Sequence, residues 1–261
     1  MSRWVLSTTN LPGETYLFFE SYFSNFIEGT EFEIEEAEDI VFSDHVIVGR
    51  HADSHDVLNV FNLVNDYQEM VTVPETANDY IDLIGERHRL IMSGRKDKNP
   101  GKLKEFVNKA GSSVFVSPQK LLGTLIHGFK YYLKLPEGLS RAIYIQFLTS
   151  ECHPFDDGNG RLSRIMLNAE LVSAEQCKII VPTVHRDSYL NGLRQATRQG
   201  SFRTLTKVFY QLQRYTASIN WSDYAEARDQ LEKDKANLIP DEGVATFNAR
   251  IRQFKKTFLP T

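Results

Sequence analysis

The residues from His153 to Arg164 bring an imidazole, two carboxylates, two glycines and two guanidiniums into one short stretch. Gly158 and Gly160 carry no Cβ to keep a backbone from closing on a phosphate. A helix that begins there presents unpaired N–H groups and a partial positive charge, which together make an anion-binding nest. Arg161 and Arg164 lie three apart, share a helix face, and can grip phosphate oxygens with paired donors, a fork that suits a triphosphate. Asp157 is the candidate to hold a divalent cation that bridges to those oxygens. With a reference pKa near 6.5, His153 is the nearby group able to take a proton from an incoming hydroxyl at neutral pH. A bare Asp-Gly-Asn-Gly run can equally be a surface turn feeding a helix; the argument rests on the full order, in which each position has its own chemical demand.

Helical periods must position these groups, because few stretches alternate with period two. Phe19, Tyr22, Phe23, Phe26 and Ile27 make a strongly apolar face that stops at Gly29. Val57, Val60, Phe61, Val64 and Val71 form a second stripe, with Asp53 or Ser54 as N-cap candidates, and a weaker third runs from about Asn78 to Met92. Ser117 and Pro118 open a helix whose face is Leu121, Leu122, Leu125, Ile126, Phe129 and Leu133, closed by Pro136 and Gly138. Leu139 to Thr149 is apolar nearly all round, the mark of a buried central helix leading straight to His153. A helix over about Asn159 to Val172, a short one around Tyr189 and Leu193, and one carrying Phe202, Leu205, Phe209 and Leu212 complete a bundle. Lys102 to Val116 reads as a β-hairpin. The expected class is mainly α, organised as an N-terminal segment (1–50), a core (51–221) and a charged helical appendage (222–261).

The chain has 261 residues, 41% hydrophobic and 25% charged, with 15 Gly and 9 Pro, which argues against collagen-like or disordered classes. Thirty Lys and Arg against 34 Asp and Glu leave a net charge of −4, so no overall positive field points to nucleic acid or an anionic membrane. Met1 to Thr9 lacks the pattern of a signal peptide, and no apolar run is long enough for a spanning helix. Cys152 and Cys177 are too few for a disulfide framework and suit a reducing cytoplasm; Cys152 reads as a small buried hydrophobe. His45, His51 and His55 read as surface residues, and His88, His127 and His185 as ordinary helix or loop residues.

The stretch His153 to Arg164 resembles the signature of the Fic domain family, H-P-F-x-[DE]-G-N-G-R-x-x-R, and meets every specified position. The wider likeness runs from roughly Ser24 to Tyr215. It implies a Fic-type helical bundle with a small β-hairpin flap, and an enzyme that moves AMP from ATP to a Ser, Thr or Tyr hydroxyl of a protein, itself included, with Mg²⁺. By position, the resemblance makes His153 the general base and Asp157 the Mg²⁺ ligand. Gly158, Asn159 and Gly160 become the phosphate cradle, and Arg161 and Arg164 the holders of the β- and γ-phosphates. Family members with Lys in place of Gly160 resemble kinases, so Gly here favours AMP transfer.

Ser24 to Gly29 matches the family's inhibitory pattern [ST]-x-x-x-E-[GN], which implies self-inhibition by a bidentate pair between Glu28 and Arg164; a solvated acid at a helix end is the plainer reading. The resemblance also places an adenine-stacking aromatic near Tyr189, although Leu190 stands where relatives carry a second aromatic, and a core or surface tyrosine is an equal reading. The hairpin tip, Ala110 to Ser113, is expected to overhang the nucleotide, with an edge able to align a target by strand addition; a structural hairpin without any partner is the other reading. Two other readings stay open: a hydrolase that uses Glu28 to strip AMP from a partner, and a nucleotide-binding regulatory module without turnover. A toxin held by a separate antitoxin is made unnecessary by an inhibitory helix in the same chain. Exposed helix faces leave a homodimer open, with no heptad to fix it.

Overall fold

The structure is a computed structural model that describes residues 13–111 and 113–254. The signal-peptide reading of Met1 to Thr9 therefore lies outside the described residues, as do Ser112 of the hairpin tip and residues 255–261 of the appendage. Among the described residues there are twelve α-helices and one two-stranded sheet, a mainly α bundle as expected.

At the centre, α7 (Leu139–Cys152) packs on α8 (Asn159–Ser173). The second is buried on nearly every side, its polar Arg161, Ser163, Arg164, Asn168 and Glu170 included, while the first, which lacks a polar face, leaves only Ser140 exposed. Around them lie α1 (Glu14–Phe26), against α3 (His51–Asn65) and α8, and α5 (Ala77–Ile91), against α3, α6 (Pro118–Tyr132) and α8. Next come α9 (Arg186–Gln199) and α10 (Arg203–Ala217), packed on each other, then α11 (Tyr224–Lys233) and α12 (Pro240–Arg252). One hydrophobic cluster runs through the whole fold, from Tyr16 on α1 to Ile251 on α12. No helix among the described residues is long and apolar enough to cross a membrane.

Several elements differ from the sequence reading. The first is α2 (Ile34–Phe42), hidden by its four acids, although Ile34, Ala37 and Ile40 keep a helical stripe and Glu33 and Glu36 form a capping box. The N-cap of α3 is Arg50, because Asp53 is held by Arg50 and Arg95 and the Ser54 hydroxyl donates to the Arg50 carbonyl. Val71 belongs to a separate short helix, α4 (Tyr67–Val71), started by Asp66, whose side chain accepts from the N–H groups of Gln68 and Glu69. On α6 the core takes Leu121, Leu125, Phe129 and Tyr132, while Leu122, Ile126 and Leu133 of the expected face are exposed. The helix around Tyr189 is not short but fourteen residues long.

The expected hairpin shrinks to two-residue strands, β1 (Lys109–Ala110) and β2 (Ser113–Val114), antiparallel, with Lys109 opposite Val114. Phe106 and Val107, read as strand residues, are exposed instead. The chain before β1 gives its hydrogen bonds to the loop after α7 rather than to a partner strand.

Candidate active site

Cys152 ends α7, and His153 follows in the left-handed region (φ 47°, ψ 59°), which turns the chain sharply out of the helix. Its ring lies flat on Phe115 after β2, with centroids 3.8 Å apart and planes within 8°. The His153 Nδ1 is 3.3 Å from the Ser150 carbonyl oxygen, so in the neutral ring Nδ1–H donates there and Nε2 keeps its lone pair for a substrate proton. Burial pulls the His153 pKa down to about 4, the nearby Lys104 cation acting in the same direction and Glu28 and Asp157 against it. The imidazole is therefore neutral throughout the neutral pH range.

The turn that follows is braced from within. Asn159 Oδ1 accepts the Phe155 N–H at 2.9 Å and its Nδ2 donates to the Phe155 carbonyl at 2.8 Å, so this buried side chain shapes the cradle rather than facing a ligand. Gly158, with φ +71°, is the N-cap of α8, and a Cβ there would meet Met92 Sδ at 2.6 Å. Gly158→Ala is expected to cost about 1–3 kcal/mol through its left-handed backbone and its contact with buried Met92. A urea titration within error of wild type would contradict this account of the turn.

His88 on α5 is an unforeseen organiser. It is fully buried, stacked on Phe155 at 3.8 Å, with Nδ1 accepting the Gly101 N–H at 2.8 Å and Nε2 donating to the Asp157 carbonyl at 3.0 Å. The reading of His88 as an ordinary helix residue is thus corrected. No local spacing announces it, because one partner is 69 residues away in sequence.

Arg164 reaches the C-terminal end of α1. Its Nε donates to Ser24 Oγ at 3.0 Å, and its Nη2 donates to the Ser24 carbonyl at 2.7 Å and pairs with Glu28 Oε1 at 2.8 Å. The pair is not the expected bidentate one, since Ser24 takes the other bonds. The Glu28 carboxylate also lies over the Cα of Gly160: a Cβ at that position would come within 2.1 Å of Glu28 Oε1. An acid at the end of α1, where the helix dipole disfavours it, is thus seated against the positive start of α8 and a guanidinium.

Arg161 departs from the sequence reading. It is 3% exposed and pairs at 2.7 Å with fully buried Asp56 of α3, with Asn25 Oδ1 at 3.3 Å. The burial of Asp56 demands a cation, and Arg161 and Arg95 both supply one. Only Arg164 of the two motif arginines lines the cleft.

That cleft, about 730 Å³, is lined by Glu28, His153, Gly160 and Arg164, by Phe115 and the hairpin, and by Leu190 and Leu193 of α9. Its size suits a nucleotide-sized ligand. Tyr189 touches it from the wall but is 1% exposed. Its hydroxyl takes a hydrogen bond from Gln146 at 2.6 Å and its ring packs edge-on against Phe209, so it offers no open face for stacking and instead backs Arg164. Asp157 stands at the turn with Oδ1 bound to the Gly158 N–H at 2.7 Å. A lone oriented carboxylate beside an anion nest fits Mg²⁺, which is held by one or two carboxylates plus substrate phosphates and water. Among the described residues no cluster of three or more His, Cys, Asp or Glu forms a metal cage.

Two buried histidines and the half-buried His153 give the fold an acid limit. Burial lowers the pKa of His88, His153 and His185 to about 4 each, and both ring nitrogens of His185, packed near Phe247, lack hydrogen-bond partners. Unfolded histidines titrate near 6.5. Their stabilisation is therefore complete above about pH 6.5 and is lost as pH falls toward 4, because the unfolded chain binds protons that the folded chain refuses. Urea midpoints should fall steadily from pH 7 to 5, less steeply in His185→Phe. A flat profile would contradict the burial of these rings.

Residues 79–171 match the sequence model of the Fic/DOC family. Among curated proteins it is 25% identical over 193 residues to "Protein adenylyltransferase Fic" of Aedes aegypti, covering 71% of this chain and 38% of that protein. It is likewise 25% identical over 198 residues to the protein of the same name from Drosophila persimilis, covering 72% and 38%. The chain thus spans well under half the length of these relatives. In structure it resembles Fic-1 of C. elegans (TM-score 0.64, 20% identity, covering 85% of this chain and 68% of that one). It also resembles a Fic domain containing signaling protein from Bacteroides thetaiotaomicron (TM-score 0.61, 16% identity, 95% and 90%). These structural likenesses establish the fold.

Proposed function

We propose that this chain is a protein adenylyltransferase that moves AMP from ATP to a Ser, Thr or Tyr hydroxyl of a protein, itself included, and that Glu28 restrains it. The observation that carries the reading is the shared cleft: a neutral imidazole, Gly160 at the mouth of α8, and Arg164, with a carboxylate already seated on the anion nest. The names of the curated relatives support the same class of reaction.

In this reading the target hydroxyl donates its hydrogen bond to His153 Nε2. As its oxygen forms a bond to the α-phosphorus, the proton passes to Nε2, and the bond from the α-phosphorus to the bridging oxygen breaks, pyrophosphate leaving with that electron pair. The α8 N-terminus and Arg164 stabilise the polyphosphate, which aligns the leaving group. Asp157 would hold Mg²⁺, which when bound neutralises charge on the phosphates. Both cysteines are free, buried thiols, which supports a reducing cytoplasm. Incubation with ATP labelled at the α- or the γ-phosphate tests the reaction type: label from the α position alone is expected on protein. Transfer of γ-label would make the chain a kinase, and binding with no transfer or removal of AMP in any variant would make it a regulatory module.

The one-third exposure of the Glu28 side chain within the same cleft favours a second reading, in which Glu28 orients a water that removes AMP from a modified protein. Its mark is the opposite phenotype: Glu28→Gly would abolish AMP removal.

A further inference from the structure

Four consecutive main-chain carbonyls, from Cys152 to Phe155, leave the end of α7 with no helix to close them, and all four must find donors where the chain is buried. Two residues from the segment before β1, Lys104 and Asn108, supply most of them. Lys104, 4% exposed, donates through Nζ to the Cys152 carbonyl at 3.1 Å and through its backbone N–H to that of Pro154 at 2.9 Å. Asn108 donates through Nδ2 to the Phe155 carbonyl at 2.8 Å and lies 3.5 Å from that of His153. The two are tied together, Lys104 Nζ donating to Asn108 Oδ1 at 2.7 Å, and they stand one helical turn's worth of sequence apart in a segment that is not a helix.

The main chain of Asn108 also reaches the imidazole face. Its main-chain carbonyl accepts the N–H of Phe115 at 3.2 Å, and the Phe115 ring is the one on which His153 lies flat. Backbone and ring of His153 are thus set from a single bracket outside the signature.

We infer that the Lys104 and Asn108 side chains are positioning groups that hold the His153 loop, and with it the His153 ring, in the geometry of proton transfer. The inference rests on the adenylyltransferase reading for its kinetic consequence, and on these hydrogen bonds alone for its structural one. A misplacement of about 1 Å is enough to lose on the order of 10²-fold in rate; neither Lys104 nor Asn108 bonds Gly160 or Arg164, and the bracket meets the cradle only at the Phe155 carbonyl, which Asn108 shares with Asn159.

The test uses the full chain with Glu28→Gly as parent. Lys104→Gln and Asn108→Ala are expected to lower kcat about 10- to 100-fold with the KM for ATP within about threefold, and Lys104→Arg to recover part of the loss. The ¹⁵N resonances of the His153 ring, followed by pH titration, supply a readout independent of turnover. The groups facing that ring are Lys104, Glu28 and Asp157. Loss of the Lys104 cation, or freer access of water in Asn108→Ala, should raise its titration midpoint by about half a unit or more. If Lys104→Gln does not fold, Asn108→Ala carries the same expectation with Lys104 in place. An inactive parent would defeat the adenylyltransferase reading, yet the ring titration would still decide the positioning role. Unchanged kcat together with an unmoved His153 midpoint would overturn the inference.

Discussion

Glu28→Gly is expected to raise AMP incorporation on the order of 10- to 100-fold over wild type, the scale of gaining one well-placed donor to a transferring phosphate. The physical reason is competition for one site. In the resting fold a carboxylate oxygen sits 2.8 Å from Arg164 Nη2 and lies directly over Gly160, so it occupies both a guanidinium donor and the approach to the α8 N-terminus. A polyphosphate placed there would meet a like charge in a partly desolvated cleft, where such repulsion is stronger than in water. Glycine removes the charge and leaves the bonds between Ser24 and Arg164 in place, so the arginine stays oriented. Thermal stability should change little, because a one-third exposed carboxylate in an ion pair contributes modestly. An increase in activity marks restraint; a loss of AMP-removing activity would instead mark Glu28 as a participant.

The second large effect is expected from His153→Ala on the Glu28→Gly background: transfer falls by about 10²- to 10⁴-fold, the usual contribution of a positioned general base. ATP affinity should persist, since the nest and Arg164 are untouched. Because burial holds the His153 pKa down to about 4, its base form is populated well below pH 6. The acid limb of kcat should therefore lie below the ordinary histidine range, falling only as pH drops toward 4. An acid limb near 6.5 would mean that the ring is more solvated than its stack on Phe115 implies.

How much of this was legible depends on how locally each feature is encoded. The cradle could be read because Gly158, Asn159 and Gly160 open α8 within a few residues of His153, and the buried helix that delivers His153 announces itself by its lack of a polar face. Glu28 was reached through a resemblance, and the geometry then altered its detail, since Ser24 rather than a second carboxylate oxygen completes the grip on Arg164. Arg161 misled for the converse reason: three-residue spacing put it on the face of Arg164, but Asp56, on a distant helix, turns it into the core. His88, Lys104 and Asn108 carry no local signal, because their partners in the segment from Cys152 to Asp157 lie 45 or more residues along the chain. Apolar periodicity also reports more than burial: Leu122 and Ile126 share the α6 pattern yet face outward.

The most direct measurement is the intact mass of three proteins after incubation with ATP and Mg²⁺: wild type, Glu28→Gly, and Glu28→Gly with His153→Ala. A gain of the mass of AMP, on the chain or on an added target, is expected to be small in wild type, large in the single variant and absent in the double. Equal labelling in all three, or none in Glu28→Gly, would contradict a transfer reaction run by His153 and restrained by Glu28.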